Sequence, residues 1–128
     1  MFDSTTENKE AKELDCLERD EVILRLDKYL SNSDFQARAY GLRLIKRIKA
    51  NNYVIEAFIP HLLSVRRLTE LEYWYKSFLS KYSLSKLLPH VIDTLNDSML
   101  DKHQRALSIL IANNGNKHDK KIYKQYFK

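Results

Sequence analysis

The stretch Lys86-Leu87-Leu88-Pro89-His90-Val91-Ile92-Asp93-Thr94-Leu95-Asn96-Asp97 decides how this chain folds. Its apolar residues recur at helical spacing. Ser83 and Ser85 ahead of it are cap candidates for a helix over 86–96, and Asn96-Asp97-Ser98 turns the chain. Residues 101–113 read as a second amphipathic helix with Ala106, Ile109 and Leu110 inward, stopped by Asn113-Asn114-Gly115. The Pro89-His90 pair has a counterpart 29 residues upstream, Pro60-His61, again inside an apolar helix, over 53–65. That helix is apolar nearly all round, which predicts a central position, and Pro60 predicts a kink.

Working outward, the helix after Arg66-Arg67-Leu68 opens on a capping box, Thr69 with Glu72, and carries Leu71, Trp74, Tyr75, Phe78, Leu79 and Tyr82. These follow the i, i+3, i+4, i+7 rule, with Trp74 at the edge of the stripe as core or as a partial interface anchor. Residues 21–50 show the same order without the Pro. A helix over 21–31 places Ile23, Leu26, Tyr29 and Leu30 inward, and Ser33 with Gln36 predicts a capping box. A second helix from Asp34 to about Ala50 has Phe35, Gly41, Leu42, Leu44, Ile45 and Ile48 on its apolar face and ends at Asn51-Asn52, since Asn tolerates left-handed dihedrals. Three helix–turn–helix units result, near 21–50, 53–82 and 86–113. One such hairpin cannot bury its own apolar face, whereas three stacked hairpins share a core.

The third unit, continued by Arg105-Ala106-Leu107-Ser108-Ile109-Leu110, resembles a HEAT repeat: an apolar first helix with Pro, Asp at the turn, then Arg-Ala and spaced apolar residues. Asp34-Phe35-Gln36-Ala37-Arg38-Ala39-Tyr40-Gly41-Leu42 is similar to the second helix of such a repeat. The middle unit departs from the pattern, lacking the turn Asp and the Arg-Ala pair. The resemblance covers about 90 residues. It implies an all-α fold, a short HEAT-like superhelix of about three hairpins whose second helices line one face, and no particular activity. A compact helical bundle without repeat ancestry is the alternative. Flanking the repeats, residues 1–19 form an acidic N-terminal segment, helical after a Ser4–Glu7 capping box, with a break near Asp20, and residues 20–128 form the helical domain. Ile122, Tyr123, Tyr126 and Phe127 mark a short C-terminal helix that caps the last hairpin.

Composition agrees with long helices and short loops: 128 residues with two Gly and two Pro. The lone Cys16 cannot form an internal disulfide, no apolar run of membrane-spanning length occurs, and Met1 to Glu7 resembles no signal peptide, so a cytoplasmic protein with no membrane association is expected. The net charge of +5 is unevenly spread: residues 1–34 carry ten acidic and five basic side chains, residues 35–128 seven and seventeen. Either the acidic leader meets the basic body, or the body faces an acidic partner.

Chemistry is sparse. Two glycines cannot supply a phosphate loop, and neither CxxC nor HExxH occurs. His61, His90, His103 and His118 stand at no metal-ligand spacing, so no metal, cofactor or catalytic residue is expected. Cys16 lies among acidic and basic neighbours whose effects on its thiol oppose each other, and Glu70 and Glu72 complement a helix dipole. What remains is surface. Arg43, Lys46 and Arg47 fall opposite the apolar stripe of their helix, Tyr73 and Lys76 point away from theirs, and Arg105 does the same on the third unit. Stacked, these faces form a basic strip with an exposed Tyr, although each residue read alone fits a solvated face and Arg38 fits a packing role. Two functions compete. The first is a non-catalytic protein-binding module or inhibitor for a protein with an acidic surface, one form being a bacterial immunity protein that neutralises a toxin domain, by analogy of size and catalytic bareness. The second is a nucleic-acid-binding HEAT-like protein using the basic face.

Overall fold

A computed structural model describes residues 4–94, 97–114 and 116–127. Among them are eight helices and no strand: α1 (Ser4–Asp15), α2 (Arg19–Leu30), α3 (Phe35–Arg47), α4 (Asn52–Leu63), α5 (Leu68–Leu79), α6 (Leu84–Thr94), α7 (Asp97–Asn114) and α8 (Lys117–Tyr126). The fold is all-α. The predicted turn residue Asn96 and the stop residue Gly115 lie outside the described residues. No helix among the described residues is long and apolar enough to cross a membrane. The chain divides into two compact units, Met1–His61 and Leu62–Lys128.

In the first unit α3 is the organising element, with α2 and α1 packed against it. Asp34 caps α3: its carboxylate accepts from the Gln36 amide at 3.2 Å, satisfying one of the donors a helix start leaves orphaned. The predicted cap at Ser33 is therefore off by one residue. The aspartate wins because Asn32 Oδ1 accepts from the Asp34 amide at 2.8 Å, a local turn that fixes its backbone in the extended conformation of an N-cap. Helix α3 ends at Arg47, and Ile48 leaves it in an extended conformation, so the end predicted at Asn51-Asn52 comes three residues early. No non-glycine residue among those described has a positive φ, which removes the left-handed stop that Asn suggested.

The core of this unit comes from Val22, Leu26 and Leu30 of α2, and from Tyr40, Leu44 and Ile45 of α3, all at most 2% exposed. At Gly41 the two helices approach closely. A Cβ there would lie 2.9 Å from Tyr29 Cβ and 2.9 Å from Leu30 Cδ2, so only glycine allows this approach. Of the predicted inward positions Phe35 is turned out, 41% exposed, and Ile23 is only half-buried, while Leu24, outside the predicted set, is 72% exposed. Val22 takes the buried place on α2, on the face packed against α3; the break between the first two helices falls at Cys16–Glu18 rather than near Asp20, and α2 starts at Arg19, two residues ahead of the predicted start.

The second unit is built on α5, which packs against α7 and α6, with α8 against α6. Leu71, Trp74, Tyr75 and Phe78 of α5 are at most 1% exposed, and large side chains of this kind each contribute on the order of 2 kcal/mol on burial. Trp74 is core, and its indole N–H donates to Glu70, one turn back, at 3.0 Å. The predicted Thr69–Glu72 box is replaced by a helix start at Leu68 whose N-cap, Arg67, makes no side-chain cap bond. On α7 the inward set is His103, Ala106, Leu107 and Ile111, and Ile109 is 37% exposed. The predicted face was rotated: the side of α7 packed against α5 buries His103 and leaves Ile109 at the surface, and the helix begins at Asp97, a turn ahead of residue 101. Asn116 caps α8 by accepting from the Asp119 amide at 2.9 Å, and Phe127 just past its end is buried.

Candidate protein-docking surface

In the second unit, α5, α6, α7 and α8 enclose a cleft of about 250 Å³. Leu79, Leu84, Leu110 and Ile111 give it an apolar floor, and Lys76 and Asp119 stand at its rim with Ser80. Each wall follows from local sequence. The inward stripe of α5 brings Leu79 to the edge of the core, the serine turn before α6 presents Leu84, and the last turns of α7 present Leu110 and Ile111. Small-molecule and cofactor sites usually span roughly 300–1,000 Å³ and converge several polar groups on one point. This cleft is smaller and mostly apolar, a shape that suits a single large side chain of a partner.

Charge is divided unevenly between the units. Residues 1–61 hold ten basic and eleven acidic side chains, a net −1. Residues 62–128 hold twelve and six, a net +6, so the whole positive excess of the protein belongs to the second unit. Lys76, at the rim, and Arg105, on α7, are both exposed there, and Tyr73 is half-buried on α5.

The other three predicted surface residues, Arg43, Lys46 and Arg47, belong to the first unit, on α3. Lys46 is exposed. Arg43 and Arg47 are engaged by the acidic leader: Arg43 Nε donates to one oxygen of Glu7 at 2.5 Å and Arg47 Nε donates to the other. Arg47 also donates to Asn8. Glu7 itself is buried, with 3% of its surface exposed. Burial pushes its carboxyl up, but the hydrogen bonds from Arg43 and Arg47, with their charge, outweigh that and hold it below its usual range. One turn along α1, Glu10 accepts from the hydroxyls of Tyr29 and Tyr40 at 2.8 and 2.7 Å. Of the two explanations for the charge asymmetry, the leader does meet the body. Arg38 packs its guanidinium 5.7 Å from the Phe35 ring centre and donates to the Asn32 carbonyl at 2.9 Å.

Sequence reasoning missed one buried polar pair. His103 is fully buried, and its Nδ1 lies 2.6 Å from the Tyr75 hydroxyl. Burial, with the neighbouring Lys102 ammonium, lowers the His103 pKa to about 4, and burial pushes the Tyr75 phenol well above its usual value. The imidazole is therefore neutral, and its Nδ1 shares a hydrogen bond with the phenol while Nε2 finds no hydrogen-bond partner among the described residues. Lys102 alongside donates to the carbonyls of Val65 and Arg66, tying α7 to the loop before α5. The signal for this pair was the spacing of His103 to Ala106 and Leu107, which places all three on one face. Among the described residues no group of His, Cys, Asp and Glu is arranged to hold a metal ion, and the Cys16 thiol is exposed.

The chain matches no family model, and no curated protein or solved structure is significantly similar to it.

Proposed function

We propose that this chain is a non-catalytic protein-binding module that acts as an adaptor or inhibitor and docks through the cleft of its second unit. The observation that carries this reading is an apolar cleft of about 250 Å³, rimmed by Lys76 and Asp119, within a unit of net +6. An apolar anchor seated in the cleft supplies affinity, while the surrounding positive charge steers and selects an acidic partner surface. A HEAT-like arrangement of the hairpins belongs to the same proposal and is supported by the packing of α5 on α7, the second helices of the middle and third units. An immunity protein that neutralises a toxin domain is one form this function takes.

Nucleic-acid binding through the basic strip has less support. Arg43 and Arg47, two of its strongest members, already face a carboxylate, and the floor of the cleft offers nothing to a phosphate.

The test is affinity purification of the tagged protein from its native cells, with and without nuclease, repeated with Lys76→Glu/Arg105→Glu. The reading expects one stoichiometric protein that survives nuclease and falls about tenfold with the charge reversals. Recovery that collapses with nuclease, or that ignores the reversals, overturns it.

A further inference from the structure

Helix α1 behaves as a ligand of the α2–α3 pair. It is the most polar of the described helices apart from α8, and it buries only Glu7, Ala11 and Leu14. Its grip is largely polar: Glu7 pairs with Arg43 and Arg47, and Glu10 accepts hydrogen bonds from the hydroxyls of Tyr29 and Tyr40. Glu7, Glu10, Ala11 and Leu14 stand at i, i+3, i+4 and i+7, so one helical stripe presents two carboxylates followed by two apolar residues. The receiving face is formed by α2 and α3, which share their own apolar core through Leu26, Leu30, Tyr40 and Ile45. The α2–α3 pair therefore carries most of the packing, and α1 is laid over it.

We propose that this basic, aromatic face is a second docking site, which receives an acidic amphipathic helix of a partner protein, and that α1 occupies it in cis until the partner displaces it. The recognised chemistry is the one α1 displays: carboxylates one turn apart, set against two arginines and two tyrosine hydroxyls, then small and branched apolar residues. A second copy of this chain is the weaker competitor. Its α1 offers the same contacts as the cis helix without the cis helix's effective concentration, whereas a partner helix with larger apolar anchors than Ala11 and Leu14 gains contacts that α1 lacks. This site is independent of the cleft in the second unit.

The test uses the full chain and a fluorescent peptide of residues 4–17 as the probe. Glu7→Gln/Glu10→Gln in the protein weakens the cis helix and leaves the receiving face intact. The peptide should bind this variant at least tenfold more tightly than it binds the wild type. Adding Arg43→Gln/Arg47→Gln should abolish that gain, as should Gln at the same two positions of the peptide. Hydrogen exchange on the wild-type protein gives a separate readout: α1 amides should exchange at least tenfold faster than those of α3. A folded variant that binds the peptide no better than wild type overturns the proposal. So does a variant that fails to fold, or an α1 that exchanges only together with α3, since either makes α1 part of the core. None of these outcomes bears on the cleft, whose test is the charge reversal at Lys76 and Arg105.

Discussion

Glu7 and Arg43 are 36 positions apart in sequence, and their carboxylate and guanidinium meet 2.5 Å apart with the carboxylate almost wholly buried. A buried acid is tolerated only when its oxygens are paired, and here Arg43 takes one and Arg47 the other. The pairing joins the acidic start of the chain to its basic middle and fixes where α1 lies on α3.

Removing that charge should therefore loosen the first unit. Breaking a fully buried ion pair costs about 3–5 kcal/mol, but both arginines are roughly a third exposed, so Glu7→Gln should cost about 1–2 kcal/mol by urea unfolding. In a double-mutant cycle with Arg43→Gln, the two losses should sum to more than the loss of the double variant. Strict additivity would mean that the pair contributes nothing.

Gly41→Ala should destabilise the first unit by about 1–3 kcal/mol despite the better helix propensity of alanine. The added methyl meets Tyr29 Cβ and Leu30 at 2.9 Å, and Tyr29 Cβ moves only with its helix. A thermal melt unchanged or raised by the substitution would show that α2 and α3 separate freely at this point.

The α3 cap separates two neighbouring residues. Asp34→Ala should cost about 1 kcal/mol, because the Gln36 amide loses its acceptor, whereas Ser33→Ala should change stability by only a few tenths. Chemical denaturation of the two single variants, side by side, decides between them.

Stability should fall in acid by two steps. His103 has its pKa lowered to about 4 from the usual 6.5, so below pH 6.5 the unfolded chain takes up a proton that the folded chain refuses. Each pH unit of that window removes about 1.4 kcal/mol, up to roughly 3 kcal/mol in all, and the loss levels off below about pH 4. Glu7, whose folded carboxyl is held below its usual 4.5, adds a second loss as pH falls from there through its folded value. Unfolding free energies measured from pH 7.5 to 3 should show both steps, and His103→Gln should abolish the first alone.

Much of the architecture was readable residue by residue. The stripe Leu71, Trp74, Tyr75, Phe78 is long and strictly periodic, and every member is buried. Short-range choices went wrong where two neighbours offered the same chemistry. Ser33 and Asp34 are both good caps, and the Asn32 bond to the Asp34 amide selected between them. Ile109 and Ile111 are equally apolar, and the packing of α7 against α5 set which of them faced inward.

The surface proved hardest to read. Arg43, Lys46 and Arg47 are alike in sequence, yet Arg43 and Arg47 are drawn onto Glu7 while Lys46 stays in solvent. Helical spacing tells which side of α3 they leave from and nothing about what waits there.

The sequence by itself determined the eight-helix, all-α character of the described chain, the apolar stripes and the excess of positive charge beyond residue 34, because propensity, periodicity and charge act over a few residues. Only the tertiary structure decided that Glu7 is buried against Arg43 and Arg47, that His103 is sealed against Tyr75, and that Lys76 and Asp119 stand over one apolar cleft. Each of these joins residues 28 to 43 positions apart. Contacts at that range depend on how helices pack, and no local pattern encodes them.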